Sequence, residues 1–311
     1  MNKKNTLPIS VLIPTMNRAE SLKRTLLSYL SADYVPDQIV VVDQSKDEKS
    51  KNVVGGLTTA FPEVDIKYVY QEVPSTTQSR NTAIKCAKNE ILVFSDDDID
   101  VYTDTLNKLY DLMNGDEIAM LAGINDEEKG RSSSIGFFWG TKSFFKRHKG
   151  YVTKSMLGRY PDRVVGRIET EWAMGFFFSV KKSLLERWGI SWDEKMTSYA
   201  YAEDLDLTYS YYKKAKKEGL KCLLDEDIHV RHLVSKEYRV PTIKSTYAYV
   251  LNRAYLSYKH NMGLGSRIAM AWCDFGRIIE KTIKKEKPED LISARRYLRK
   301  HKKEIKQGIF N

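Results

Sequence analysis

Glu90-Ile91-Leu92-Val93-Phe94-Ser95-Asp96-Asp97-Asp98 decides how this chain is read. Its four apolar residues, three of them β-branched or aromatic, form the short run expected of a strand buried on both faces. The run ends in three consecutive carboxylates. Burying an unpaired carboxylate is costly, so the strand must deliver its acids to water or to a cation. Open α/β sheets bind ligands at the carboxyl ends of their strands, and hard divalent cations share oxygen ligands with phosphates. The stretch predicts a metal–diphosphate site at a strand end. A solvated acidic loop is the alternative that composition alone leaves open.

Upstream, the same pattern repeats. Ile9–Thr15, Gln38–Asp43 and Ile66–Tyr70 read as strands, and helices are expected over 19–30, 46–60 and 78–88. Strands about 28 residues apart, each followed by a helix, describe βαβ units and a parallel sheet. Right-handed crossovers place Asp43 and Asp96–Asp98 on one sheet edge. No glycine-rich dinucleotide fingerprint and no P-loop follows any strand. Downstream, a helix is expected over 104–114 and a strand over 118–123. A long insertion follows over 125–168, then a strand over 169–180 and a helix over 181–188. A helix opening at Glu203-Asp204 is expected to stop at Gly219, followed by short strands at 221–224 and 227–233. The acids of that helix also suit its dipole, whatever else they do.

The chain has 311 residues, 42% hydrophobic and 30% charged, which suits one large globular domain or one domain with an appendage. Cys86, Cys222 and Cys273 stand far apart without metal-ligand spacing, pointing to a reducing compartment. No signal peptide and no membrane-spanning run is read, so the expected location is cytoplasmic or peripheral on the cytosolic face of a membrane. The net charge is +10, and from Arg277 onward 12 Lys/Arg oppose 5 Asp/Glu. A basic tail of this kind suits an anionic surface, lipid or nucleic acid, or is simply a solvated helical face.

The ordered set Ile13-Pro14-Thr15-Met16-Asn17-Arg18, Val41-Val42-Asp43-Gln44-Ser45, Gln78-Ser79-Arg80-Asn81-Thr82-Ala83, Phe94-Ser95-Asp96-Asp97-Asp98, Ala202-Glu203-Asp204-Leu205-Asp206-Leu207 and Val230-Arg231-His232 resembles the family-2 glycosyltransferases of GT-A fold over roughly residues 7–235. The resemblance implies a Rossmann-like, mostly parallel central sheet flanked by helices, with a helical C-terminal extension. It implies a catalytic domain over 1–235, with nucleotide-sugar binding in 1–125 and acceptor and catalytic parts in 126–235, and a basic helical region over 236–311. It further implies an inverting transfer from a nucleotide-diphosphate sugar, UDP-sugar by default, to a glycan or lipid-linked acceptor in surface polysaccharide synthesis.

Carried over residue by residue, Pro14, Thr15 and Arg18 wall the nucleotide pocket, and Asp43 accepts from base or ribose. Gln44 replaces the family's frequent second Asp, which leaves the base less determined. Arg80 and Asn81 reach the donor, Asp96 faces the ribose, Asp97 lies between the two roles, and Asp98 with His232 holds Mn2+ or Mg2+. Asp204 is the base, Glu203 orients acceptor or base, and Trp172 is an acceptor platform or a core residue, an ambiguity shared by Trp192 and Tyr199. His229 falls on the opposite strand face, and Asp206 reads as structural. A nucleotidyltransferase, or a binding protein using the basic C-terminus, are the competing readings; no nucleic-acid motif is present.

Ile268, Trp272, Phe275, Ile279 and Ile283 form one apolar stripe on a helix expected over 266–284. The stripe suits a membrane surface, the catalytic domain or a second subunit of a homo-oligomer.

Overall fold

The computed structural model describes residues 5–127, 135–196, 201–235 and 241–310. Tyr199 lies outside these residues. In chain order the elements are β1 (Asn5–Thr15), α1 (Ala19–Ser31), β2 (Tyr34–Asp43), α2 (Lys49–Ala60), β3 (Asp65–Tyr70), α3 (Thr76–Cys86), β4 (Ile91–Ser95), β5 (Ile99–Val101), α4 (Thr105–Met113) and β6 (Ile118–Asn125). They continue with α5 (Ile135–Phe138), β7 (Tyr151–Val152), β8 (Gly158–Arg159), β9 (Arg167–Glu169), β10 (Phe177–Lys181), α6 (Lys182–Trp188), α7 (Glu203–Lys217) and β11 (Lys221–His232). Four helices finish the chain: α8 (Thr242–Lys259), α9 (Gly263–Ile283), α10 (Glu289–Lys300) and α11 (Lys302–Lys306).

Among the described residues a nine-stranded sheet runs β3-β2-β1-β4-β10-β6-β11-β5, with β9 paired to β11. β1, β2, β3, β4, β6 and β11 share one direction; β5, β9 and β10 oppose it. The parallel sheet expected from the βαβ spacing is present. Alternation along β1 explains its two-sided burial. Ile9, Val11 and Ile13 face α1 and α4 with Leu22, Leu26 and Leu106. Leu12 looks the other way, into a core with Phe94, Phe178, Leu207 and Tyr211.

Two sequence expectations change. The strand expected over 169–180 is two, because residues 170–176 leave the sheet between β9 and β10. The two strands expected at 221–224 and 227–233 are one, β11, whose register with β6 shifts between Leu224 and His229. That irregularity lets one strand pair with β9 early and β5 late, which carries His232 to the sheet edge. The C-terminal helices share a third core with Val152, Met156, Trp172 and Leu205. No described helix is long and apolar enough to cross a membrane.

Candidate active site

β1 and β2 end in register, Thr15 opposite Asp43, and β4 lies parallel on the other side of β1. The carboxyl ends therefore form one edge, and the triplet follows β4 directly. Asp96 N–H donates to Phe176 O at 2.9 Å, tying the triplet to the segment before β10.

The three acids divide. Asp97 turns inward, accepting from Thr15 Oγ1 at 2.7 Å and from Arg18 Nη1 at 3.0 Å. Burial pushes its carboxyl up to about 7, against the opposing pull of Arg18 and Thr15. Asp96 and Asp98 instead converge with His232, one ligand atom of each lying within 4.8 Å of the others. His232 Nε2 is 3.1 Å from Asp98 Oδ1, and its ring stacks on Phe176 at 5.3 Å. Asp98 Oδ2 accepts from Ser235 N–H at 2.8 Å, whereas Oδ1 is buried and faces the His232 imidazole. Burial works against ionisation of Asp98, but His232, the Ser235 N–H and Arg18 outweigh it and hold the group below its ordinary value. Two carboxylates and an imidazole whose ligand atoms converge within 4.8 Å fit a hard-to-borderline divalent cation. His229, on the other strand face, pairs with Asp126 at 2.8 Å.

Asp43 is fully buried. Its Oδ1 accepts from Ser45 N–H at 2.9 Å and Ser45 Oγ at 2.6 Å, and its Oδ2 from Tyr68 OH at 2.9 Å. Pro14 is buried beside it, opposite Val42. Gln44 Oε1 accepts from Ser75 N–H at 2.6 Å, linking this loop to the start of α3, where Ser75 Oγ caps Gln78 N–H.

Arg80, on α3, joins the two acidic groups. Its Nη2 donates to Asp96 Oδ1 at 3.0 Å and Gly175 O at 3.2 Å, its Nη1 lies 3.5 Å from Glu203 Oε1, and the guanidinium sits over Trp192 at 4.3 Å. Asn81 points elsewhere. It donates to Trp192 O at 3.0 Å and Glu194 Oε1 at 2.7 Å and accepts from Trp192 N–H at 2.9 Å, so its amide pins the 192–194 loop. Trp192 is core, packed edge-on against Phe94.

Glu203 and Asp204 open α7 after Ala202, whose positive φ of 67° turns the chain sharply into the helix. Asp204 Oδ2 accepts from Gly175 N–H at 2.8 Å and Oδ1 from Leu205 N–H at 2.7 Å. Burial raises its affinity for a proton even so. Burial and the Asp204 charge push Glu203 up to about 8, against Arg80. Gly175 fits closely here: a Cβ would stand 3.2 Å from both Arg80 Nη2 and Asp204 Cβ, so either neighbour would have to give by a few tenths of an ångström. The Gly175 N–H and the Phe176 ring come from Trp172–Phe177, the stretch that the family resemblance sets before the acceptor site with a small residue beside the donor. Asp206 anchors α7 to α8 through Lys259 at 2.6 Å and His260 at 2.9 Å.

Trp172 is brought near but covered. Its indole lies against Tyr160 at 5.2 Å, fills the space a Gly158 Cβ would occupy, and donates through Nε1 to Arg159 O at 3.1 Å. Of its two expected readings, the geometry is that of a core residue.

A family model described as Glycosyl transferase family 2 matches residues 10–189. The chain is 27% identical over 122 residues to glycosyltransferase AglE of Haloferax volcanii, covering 38% of this chain and 40% of that protein. It is 26% identical over 211 residues to the GalNAc(5)-diNAcBac-PP-undecaprenol beta-1,3-glucosyltransferase of Campylobacter jejuni, covering 66% of this chain and 60% of that protein. It thus spans less than two thirds of the length of either relative. The mannosyltransferase PcManGT from Pyrobaculum calidifontis, solved in complex with GDP-Man and Mn2+, shares the fold with a TM-score of 0.54 at 15% identity, over 96% of this chain and 81% of that one. The family match runs through the strands and helices that carry Thr15, Asp43, Arg80 and the triplet and takes in more than half of the chain, so this protein belongs to glycosyl transferase family 2 and has the GT-A fold.

Proposed function

We propose that this glycosyltransferase moves a sugar from a UDP-sugar to a hydroxyl of a lipid-linked glycan acceptor, with inversion, in surface polysaccharide synthesis on the cytosolic side of a membrane. The observation that carries the reading is the Arg80 bridge. One guanidinium contacts both Asp96 of the triplet and Glu203 beside Asp204, so donor and acceptor ends of the site are held as one unit.

In this reading Pro14, Thr15, Arg18, Asp43 and Asp96 border the nucleotide, while Asp97 fixes Thr15 and Arg18 from behind. Asp98 and His232, with Asp96 beside them, hold the cation. Mn2+ or Mg2+ bound there supplies positive charge against the diphosphate leaving group. The acceptor oxygen attacks the anomeric carbon and its proton passes to the Asp204 carboxylate. The bond from that carbon to the diphosphate oxygen breaks, and the nucleoside diphosphate leaves with its electron pair. Backbone N–H groups of Gly175 and Leu205 fix Asp204 and leave it lone pairs for that proton. Burial makes Asp204 a stronger base than a solvated carboxylate. Glu203, neutral below about 8, adds little charge beside it and orients Arg80. The relative from Campylobacter jejuni, whose name includes PP-undecaprenol, supports an acceptor of the lipid-linked class.

The test is to incubate the protein with UDP-sugars, Mn2+ and a lipid-linked glycan fraction and to assign the anomeric configuration of the product by proton NMR. An inverted linkage is expected. A retained configuration overturns the single-displacement mechanism.

A further inference from the structure

The apolar stripe on α9 faces outward, with Ile268 at 62% exposure. It does not stand alone. The segment from α5 to Lys149 adds Phe137, Phe138, Phe144 and Phe145, of which Phe138 is 63% and Phe145 86% exposed. The two stretches are built into one surface. Trp272 Nε1 donates to Phe138 O at 2.8 Å, and Trp139 lies 5.1 Å from the Trp272 ring and 6.2 Å from that of Phe275. Gly276 makes the seat, since a Cβ there would stand 2.3 Å from the Trp139 indole. Contiguous aromatic surface of this kind is uncommon on monomers that face only water.

Charge identifies the partner. Residues 135–149 contain Lys142, Lys146, Arg147 and Lys149 and no Asp or Glu; Lys142 pairs with Asp162, and Lys146 and Lys149 with Glu171, so Arg147 is the cation the segment turns to its rim. The Arg147 guanidinium sits over the Phe144 ring at 4.5 Å, and α9 runs on into Lys284, paired with Glu280, and the exposed Lys285. An aromatic face with a cationic rim matches the interface of a bilayer containing anionic lipid. A symmetric contact between two copies would instead bring the same cationic rims together.

The face is also tied to the segment that holds Asp204. Arg159 Nε donates to Thr141 O at 2.7 Å, Trp172 Nε1 to Arg159 O at 3.1 Å, Met174 N–H to Tyr160 OH at 3.0 Å, and Gly175 N–H to Asp204 at 2.8 Å. A short relay of contacts therefore joins the aromatic face to the proposed base. We infer that residues 135–147 and the outer face of α9 together dock the protein on an anionic bilayer and present Asp204 to an acceptor whose lipid end stays in that bilayer. The presentation rests on the proposed transfer reaction; the docking does not.

The test floats the full chain with vesicles of phosphatidylcholine alone or phosphatidylcholine with phosphatidylglycerol, beside a Phe138→Ser/Phe145→Ser variant and an Ile268→Ser variant. Metal-dependent hydrolysis of the UDP-sugar is followed in parallel, and thermal melting verifies that the variants fold. The wild type is expected to float with the anionic vesicles and to lose binding as salt rises. Each variant should bind about tenfold less while melting and hydrolysing donor like the wild type. Failure of the wild type to float, equal flotation of all three proteins, or a variant-sensitive dimer without lipid binding overturns the docking. Flotation as expected with no donor turnover in any protein leaves the docking standing and overturns the transfer reading on which acceptor presentation rests.

Discussion

The sheet edge and the outer face of α9 both invert the ordinary rule of apolar residues inside and charges outside, and they do so in opposite ways. At the edge, Asp43, Arg80, Asp97 and Asp98 are buried, and nearly every polar atom has a partner inside the protein. On α9, Ile268, Trp272 and Phe275 are exposed, while the inner face buries Asp274 and Cys273. The polar inversion is held by hydrogen bonds and ion pairs, with Asp98 Oδ1 facing the His232 imidazole. The apolar inversion is held by packing that fixes the face but covers little of it. The proposed charged site and the proposed lipid-facing surface each require the costly arrangement the other avoids.

The largest effect expected from breaking this comparison is on the polar side. Asp204→Asn should lower the transfer rate by about 10²- to 10⁴-fold with nucleotide affinity retained, as read by initial rates and nucleotide titration. Glu203→Gln mimics the group neutral below about 8 and should stay within about tenfold of wild type. The reverse ranking would move the base to Glu203.

Next is the buried pair beneath α9. Arg253 Nη1 meets Asp274 Oδ1 at 2.8 Å with both side chains almost fully buried, and Arg295 meets the other oxygen at 3.1 Å. Asp274→Ala strands two guanidinium groups and should cost about 3–5 kcal/mol in urea unfolding. A loss below about 1 kcal/mol would mean that the inner face of α9 is not held as described.

Two pH dependences follow. As the proposed base Asp204 must be ionised, and burial pushes it up, so the transfer rate should fall on the acid side at a pH above the ordinary carboxylate range. Glu203 binds its proton more tightly folded than unfolded. Its contribution to stability is full below the unfolded value of 4.5 and is lost as pH rises through about 8. Glu203→Gln should flatten the fall in melting temperature across that window. The smallest effect is on the apolar face: Ile283→Ser, at a residue 75% exposed, should change stability by no more than about 0.5 kcal/mol.

The βαβ half of the fold was legible because continuous apolar runs such as Ile39–Val42 and Leu92–Phe94 become strands buried on both faces, and their order fixes a shared edge. The acidic triplet, Glu203-Asp204 and His232 were legible as a set. What each atom touches was not. Arg80 and Asn81 are neighbours on α3, yet one joins the two acidic groups and the other pins the 192–194 loop, a difference set by loops far away in sequence. Asp97 could not be told from Asp96 and Asp98 until β1 supplied Thr15 and Arg18. The stripe on α9 was read correctly as a stripe, but its direction depends on Arg253 and Arg295, which give Asp274 a buried partner and so turn the apolar side outward.

The central claim is a cation-dependent nucleotide-diphosphate site built on Asp96, Asp98 and His232. Thermal-shift titration of the wild type and of a His232→Ala variant with UDP, dTDP and GDP, each with and without Mn2+, tests it most directly. The wild type should be stabilised by UDP with Mn2+ well beyond either alone, and His232→Ala should lose most of that gain. Equal shifts with and without Mn2+, or an undiminished shift in the variant, would contradict it.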